Sequence, residues 1–199
     1  MSASGRIEIR EVGRAAIRAE LAERALDLFL REGYEAVTFS DLAAAAGVSR
    51  STLLRHFSTK EDVVLSTADA QGLRVADALR TRPAEEDDWT ALRRAFDVNV
   101  QPYHQDPVRA LALTRLVRNV RALRAHGLAK QDGWQTLLAE ALAQRTGSPA
   151  PPTLRQLVWA GAALVCMDVA LQLWSASDGQ LDLITLLDDA FDTLAANKG

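Results

Sequence analysis

Apolar side chains return at helical intervals early in the chain. Ile17, Leu21, Ala25, Leu28 and Phe29 share one side, with Glu20, Arg24, Asp27 and Arg31 on the other. This spacing predicts an amphipathic helix over roughly 14–32. Gly33 follows where a left-handed cap needs a residue without a side-chain penalty, and Tyr34 can fold back on the helix. Thr38 with Asp41 reads as an aspartate version of the capping box, opening a short helix through Leu42–Ala46 that Gly47-Val48-Ser49 breaks. Ser49 caps a second short helix, Arg50 to Phe57. Ser58-Thr59-Lys60-Glu61 then reads as a capping box opening a longer one that runs to about Arg80.

Beyond Arg80 the breakers are Arg82-Pro83, Gln101-Pro102, Asp106-Pro107, His126-Gly127, Gly147 to Pro152 and Ser177-Asp178-Gly179. They cut the remainder into helices of roughly 86–101, 107–124, 128–146, 153–176 and 180–197, about nine in all. No alternating strand pattern interrupts them, so the expected fold class is all-α. The 153–176 helix is apolar nearly all round, through Leu157, Val158, Trp159, Leu164, Val165, Met167, Leu171 and Trp174, and is expected to be buried on two sides. Asp168 and Gln172 interrupt it, which argues against a bilayer span. The 180–197 helix places Leu183, Ile184, Leu187, Ala190, Phe191 and Leu194 on one face and Asp182, Asp188, Asp189 and Asp192 around the other. Such a pair suits half of a four-helix bundle across a two-fold axis, or else a core within one chain.

Composition fits this reading. The chain has 199 residues, 48% apolar and 25% charged, with only 11 Gly and 6 Pro, enough for a sizeable core and biased towards helix. Cys166 is the one cysteine, so no intrachain disulfide or cysteine zinc site is expected, and the chain suits a reducing cytoplasm. The opening MSASGRIEIREVGR has no apolar run of the secretory kind. Net charge is −3, but its distribution matters more. Between Asp41 and Glu61 there is no acid, while Arg50, Arg55, Lys60 and His56 all fall there. Catalysis finds little support: His56, His104 and His126 lack metal-ligand spacing, and neither a Gly-x-Ser-x-Gly elbow nor a phosphate-cradling glycine loop occurs. No enzyme activity, cofactor or metal is expected, and Cys166 is read as packing in an apolar helix.

Thr38 to Phe57 has the anatomy of a helix-turn-helix. Ala43, Ala46, Val48, Leu53 and Phe57 can form its mini-core, leaving Arg50, Ser51, Thr52, Arg55 and His56 turned outward. A helix of this width fits the major groove, where Arg donates to guanine edges and Ser or Thr reaches bases or phosphates. The bland reading is a helical corner with a solvated charged face.

The run Leu26-Asp27-Leu28-Phe29 with Gly33-Tyr34, then Thr38 to Asp41, Leu42 to Ser49, and Thr52-Leu53-Leu54-Arg55-His56-Phe57-Ser58-Thr59-Lys60-Glu61, resembles the DNA-binding domain of the tetracycline-repressor (TetR) family. The resemblance implies a one-component bacterial regulator with a three-helix reader at 1–60, a larger ligand-binding and dimerisation domain at 61–199, and a dimer held by the last two helices, about 153–176 and 180–197. It implies DNA contacts at Thr38, Ser49, Arg50, Ser51, Thr52, Arg55 and His56, and a phosphate contact at Lys60. Leu54 stands where the family commonly has an aromatic residue, usually Tyr, so a phosphate hydrogen bond gives way to Arg55 or to apolar contact with a thymine methyl or sugar. Arg6, Arg10 and Arg14 could form an arm towards the adjacent groove, with Arg6 and Arg10 expected to be mobile in the absence of DNA.

The second half offers Trp89, Phe96, Val100, Tyr103, Leu113, Val117, Trp134, Trp159 and Cys166 as candidate ligand-binding residues, though most of any such set is core. Arg109, Arg115, Arg118, Arg121 and Arg124 drift slowly around one helix, as a cationic stripe for an acidic ligand or a solvated, paired face. Residues from about 107 to 194 resemble the C-terminal domain of regulators related to the mycofactocin-associated repressor, which points the effector towards an acyl-coenzyme A or an apolar acid. The expected function is therefore a cytoplasmic, homodimeric repressor of a palindromic double-stranded DNA operator, released by a small-molecule effector and with no membrane partner. The alternative is a helical dimer with a weakened DNA reader that acts through a protein partner.

Overall fold

The computed structural model describes residues 3–66, 68–145, 147 and 151–195, with side chains described from Ala16 onward except that of Asp69. Among these residues the backbone forms eleven helices and no strand: α1 (Ala3–Glu32), α2 (Phe39–Ala45), α3 (Arg50–Leu54), α4 (Lys60–Val64), α5 (Ala68–Arg80), α6 (Asp88–Ala95), α7 (Asp97–Gln105), α8 (Pro107–Asn119), α9 (Arg121–Arg145), α10 (Leu154–Ala176) and α11 (Leu183–Ala195). They group into two compact units, one of the residues up to 66 with 116–126, the other of 68–115 with 127–195.

In the first unit α1 buries Leu21, Ala22, Ala25, Leu26 and Phe29. The Gly33 N–H closes the helix on Phe29 O at 3.0 Å, and the Tyr34 ring stacks on Phe29 at 5.2 Å. α1 starts at Ala3 instead of near residue 14, so the expected arm is helical backbone. The side chains of Arg6, Arg10 and Arg14 lie outside the described residues. α2 ends in a Schellman motif: Val48 N–H donates to Ala43 O and Gly47 N–H to Ala44 O, both at 3.0 Å. Gly47 sits at φ +72°, where a side chain would be strained.

The helix-opening box of α4 is displaced by one residue from its expected position. Thr59 is the cap and Asp62 its partner, because Asp62 Oδ2 accepts from both Ser58 N (3.0 Å) and Thr59 N (3.2 Å). The single long helix expected to reach Arg80 is two, since α4 closes at Leu65, whose N–H donates to Glu61 O at 2.9 Å.

In the second unit α6, α10 and α11 meet around Phe191. Trp89 Nε1 donates to Phe191 O at 3.1 Å, the two rings lie 4.5 Å apart, and Trp159 meets Trp89 edge-on at 6.2 Å. Gly127 does not break α9. A glycine in a helix interior costs about 1 kcal/mol, whereas each fully buried leucine of that helix, Leu123, Leu138 and Leu142, contributes roughly 1.5–3 kcal/mol. The expected 86–101 helix is instead divided at Phe96, and α7 carries Pro102 inside it.

Within one chain α10 is covered on one side. Ala160, Ala163, Cys166, Met167, Ala170 and Trp174 face inward, but Leu154, Val158, Val165, Val169 and Leu173 form an exposed apolar stripe, Leu154 at 79%. By length and composition alone this helix could cross a membrane. α11 likewise divides the apolar face expected of it: Leu183, Leu187 and Phe191 point in, while Ile184 and Leu194 point out.

Candidate nucleic-acid interface

The α2–turn–α3 segment is held by local caps. Thr38 Oγ1 accepts from Asp41 N (3.2 Å), and Asp41 Oδ2 accepts from Thr38 N (2.8 Å) and from the Thr38 hydroxyl (2.6 Å). The Thr38 side-chain and backbone hydrogen bonds hold the Asp41 carboxyl below its ordinary range. Thr38 is therefore a cap whose one proton is committed to Asp41.

Ser49 caps α3 by accepting from Thr52 N at 3.1 Å, and its hydroxyl lies 2.9 Å from both Ser51 Oγ and Thr52 Oγ1. Below this polar rim Ala43, Ala46, Leu53 and Phe57 are buried, with Val48 half-buried at the turn. Arg18 stacks over the Phe57 ring at 4.8 Å from its centroid. The expected Arg50–Phe57 helix ends sooner, at Leu54, and continues as a tightened turn in which Arg55 N donates to Thr52 O and His56 N to Leu53 O.

Among the outward candidates, Ser49, Arg50, Ser51, Leu54 and Arg55 are exposed, while Thr52 and His56 are half-buried. Leu54 is 43% exposed beside the fully buried Leu53, so a bare apolar side chain occupies the cationic rim. Lys60 is already engaged. Its Nζ donates to Tyr34 O and Val37 O, each at 3.0 Å, and lies 4.5 Å from the Tyr34 ring centroid. An ammonium has three donors, so one remains for a phosphate.

Beside it the Tyr34 hydroxyl donates to Glu61 Oε1 at 2.5 Å. Burial, then the Glu61 carboxylate, raises the Tyr34 pKa. Burial also pushes the Glu61 carboxyl upward, but the Tyr34 hydroxyl and the hydrogen bonds at the helix start outweigh it and leave Glu61 lowered. The cluster of Tyr34, Lys60 and Glu61 thus ties the start of α4 to the loop after α1. Sequence spacing gave no sign of it, since Tyr34 and Glu61 stand 27 positions apart.

The candidate effector residues are scattered. Trp89, Phe96, Val100 and Cys166 are buried in the core of the second unit, Tyr103, Trp134 and Trp159 are half-buried against it, and Leu113 is half-buried on α8. Val117 belongs to the first unit. Two open depressions mark the second unit. One of about 470 Å³ is lined by Trp89, Arg93, Asp97, Ile184, Asp188 and Phe191, and one of about 280 Å³ by Tyr103, His104, Trp174 and Leu181, with further residues around each. Burial raises the Tyr103 hydroxyl pKa, with partial relief from a hydrogen bond to Thr114. The arginine stripe is also divided. Arg109 and Arg115 lie in the second unit and Arg118, Arg121 and Arg124 in the first. Arg115 Nη2 donates to Ser175 O at 3.1 Å and pairs with Asp178.

Against known proteins, residues 21–67 match the model described as bacterial regulatory proteins, tetR family, and residues 86–198 match the MftR C-terminal domain. The regulator TcmR of Streptomyces glaucescens is 33% identical over 136 residues, 65% of this chain and 60% of TcmR. The matched stretch therefore spans less than two thirds of TcmR's own length. A regulator of Mycobacterium tuberculosis, named as the putative mycofactocin biosynthesis transcriptional regulator MftR, is 26% identical over 181 residues, 88% of each chain. In fold the chain is similar to FadR of Thermus thermophilus, a repressor solved in complex with lauroyl-CoA, with a TM-score of 0.58 and 19% identity over 92% of this chain and 95% of that one.

Proposed function

This chain belongs to the TetR family of bacterial transcription regulators, with a C-terminal domain of the MftR type, and from that premise we propose that it is a homodimeric repressor of a palindromic operator, released by a small-molecule effector. Regulators of this family bind DNA and dimerise, and the relatives are named as regulators, not enzymes. Residues 1–60 read DNA and 61–199 bind the effector and the second subunit, in the cytoplasm where the operator is.

The observation that carries this reading is the polar edge of α3: Arg50 and Ser51 exposed on a short helix, and Arg55 exposed at its C-cap, with Leu53 on the other side fully buried. A stiff helix with that division presents its cations to a groove without disturbing its own packing. Ser49, Thr52 and His56 extend the same edge, Leu54 touches a sugar or thymine methyl, and Thr38 and Lys60 meet the backbone through whatever hydrogen-bonding capacity their internal partners leave. Dimerisation runs through α10 and α11, supported by the exposed apolar stripe from Leu154 to Leu173 and by Ile184 and Leu194. A two-fold dimer of such readers matches a palindrome with half-sites about 34 Å apart.

The effector is an acyl-coenzyme A or an apolar acid. Support comes from the lauroyl-CoA complex of the similarly folded FadR. To release DNA it must favour the non-binding arrangement, since equal affinity for both shifts nothing.

Selection of random duplexes by the purified protein tests the reading, followed by affinity for the winner at two salt concentrations. The expected result is an enriched palindrome whose log affinity falls with log salt by about 0.9 per phosphate neutralised. No enriched sequence would overturn the reader and favour action through a protein partner.

A further inference from the structure

Trp134 of α9 is packed against α5 at a position only glycine permits. A Cβ on Gly72 would stand 2.7 Å from Trp134 Nε1, 2.8 Å from Cε2 and 2.9 Å from Cδ1, so the pyrrole edge lies directly over the α5 backbone. That ring nitrogen is buried and donates to nothing among the described residues. Indole nitrogen is a donor only, and a buried donor left unmet carries its full desolvation penalty. Phenylalanine would fill the same place without that cost. The seat therefore holds a polar atom that packing alone does not require.

The next residue fixes α9 from its other side. Gln135 Nε2 donates to Leu157 O at 2.9 Å, and a Cβ on Gly161 would come within 3.0 Å of the same nitrogen. α9 is thus hydrogen-bonded to α10 beside the indole, which opposes its backing away from α5. To find an acceptor, the Trp134 ring must turn off Gly72 or α5 must yield. The surroundings are apolar, since Trp134 packs on the core that contains Val75, Ala76, Leu79 and Leu138. A ligand reaching the N–H through such walls is itself largely apolar and carries an oxygen acceptor.

We propose that the Trp134 indole N–H is the recognition donor for the effector, that its acceptor is a carbonyl or carboxyl oxygen on an apolar chain, and that making this bond turns the indole off Gly72 and loosens α5 from α9. The inference rests on the effector-released reading above and assigns the donor which that reading lacks.

The test uses the full-length protein labelled with nitrogen-15, whose four tryptophans give four indole N–H signals. Trp134→Phe identifies the Trp134 signal. Decanoic acid, methyl decanoate and lauroyl-coenzyme A are added separately, with binding measured in parallel by calorimetry. The expected result is that at least one probe binds and moves the Trp134 proton downfield, and that Trp134→Phe, folded by its remaining signals, binds that probe about tenfold more weakly. Response to the acid alone assigns a carboxylate, and response to the ester or thioester assigns a neutral carbonyl. Gly72→Ala supplies a second readout, displacing the indole and so moving the Trp134 signal before any probe is added. Binding with an unmoved Trp134 signal and unchanged affinity in Trp134→Phe overturns the proposal, as does binding by none of the three probes at millimolar concentration. Failure of the unliganded protein to select an operator would instead count against the repressor reading and leave the Trp134 result standing.

Discussion

Replacing Arg145 with Met removes a charge from one of the least accessible places in the second unit. The Arg145 side chain is 4% exposed. Its Nη1 donates to Asp88 Oδ1 at 2.8 Å, and Nη2 donates to Pro83 O at 2.6 Å and to Glu86 O. The end of α9 is thereby tied to the start of α6 and the loop before it. Methionine keeps most of the stem, so the loss is electrostatic and hydrogen-bonding, not volume. Breaking a buried ion pair from one side costs about 3–5 kcal/mol. Asp88 is 23% exposed and sits in the first turn of α6, so water and the helix N-terminus stabilise the abandoned carboxylate and bring the estimate to about 2–3 kcal/mol. In a chain of this length each kcal/mol moves Tm by about 2–4 °C, giving a fall of roughly 4–12 °C.

The pair Arg24–Glu20 serves as control, with side chains 55% and 65% exposed, and its removal costs only about 0.3–0.5 kcal/mol. Thermal and urea unfolding followed by circular dichroism read both, and a cycle with Asp88→Asn isolates the pair term. An Arg145→Met variant within about 1 kcal/mol of the parent, or a coupling no larger than that of Arg24–Glu20, refutes the reasoning.

At the reader, Arg50→Ala relaxes sequence preference by removing a contact of about 1–3 kcal/mol. Lys60→Ala weakens all duplexes alike, lowers the salt slope by about one, and reduces stability because Tyr34 O and Val37 O lose their donor. Titration of operator and scrambled duplexes separates them, and equal losses on both duplexes remove Arg50 from base readout. Acid stability follows from two carboxylates: Glu61 is held low by the Tyr34 hydroxyl and the helix start despite its burial, and Glu86 is held at about 2 by Arg82 and then Arg94. Folded values below the unfolded one near 4.5 mean that this stability is complete above that pH and drains as pH falls towards 2. The unfolding midpoint should therefore hold from pH 7 to 5 and fall below; Tyr34→Phe, which removes the bond that lowers Glu61, should start lower at neutral pH and lose less on acidification, and a flat profile of the parent down to pH 2 contradicts the assignment. Burial pushes the Cys166 thiol up to about 11, and its Sγ faces Ala190 O at 3.5 Å. An aromatic disulfide reagent at pH 8 should label it only after unfolding, and rapid labelling of the native protein would show that α10 and α11 part readily.

The reader was legible in the sequence because its geometry is settled within a few residues. Thr38 with Asp41, Gly47 at its positive φ and Ser49 with Thr52 each close a hydrogen bond three or four positions away, so residue type and spacing suffice. The same logic slipped by one residue at Thr59, where two adjacent hydroxyls competed for the cap and the carboxylate of Asp62 decided.

Helix continuity depended on more distant partners. Gly127 and Pro102 were tolerated and Phe96 became a break, because a local cost of one to a few kcal/mol yields to the burial of side chains whose partners lie far along the chain. Side-chain fate was the least legible. Lys60 meets carbonyls 23 and 26 positions away, and Arg145 meets Asp88 across 57. The indole of Trp134 rests on Gly72, and the apolar stripe of α10 from Leu154 to Leu173 finds no cover within its own chain. Periodicity specifies which residues share a helix face. Which neighbour that face meets, and which donors are left unmet there, is decided only when the helices pack.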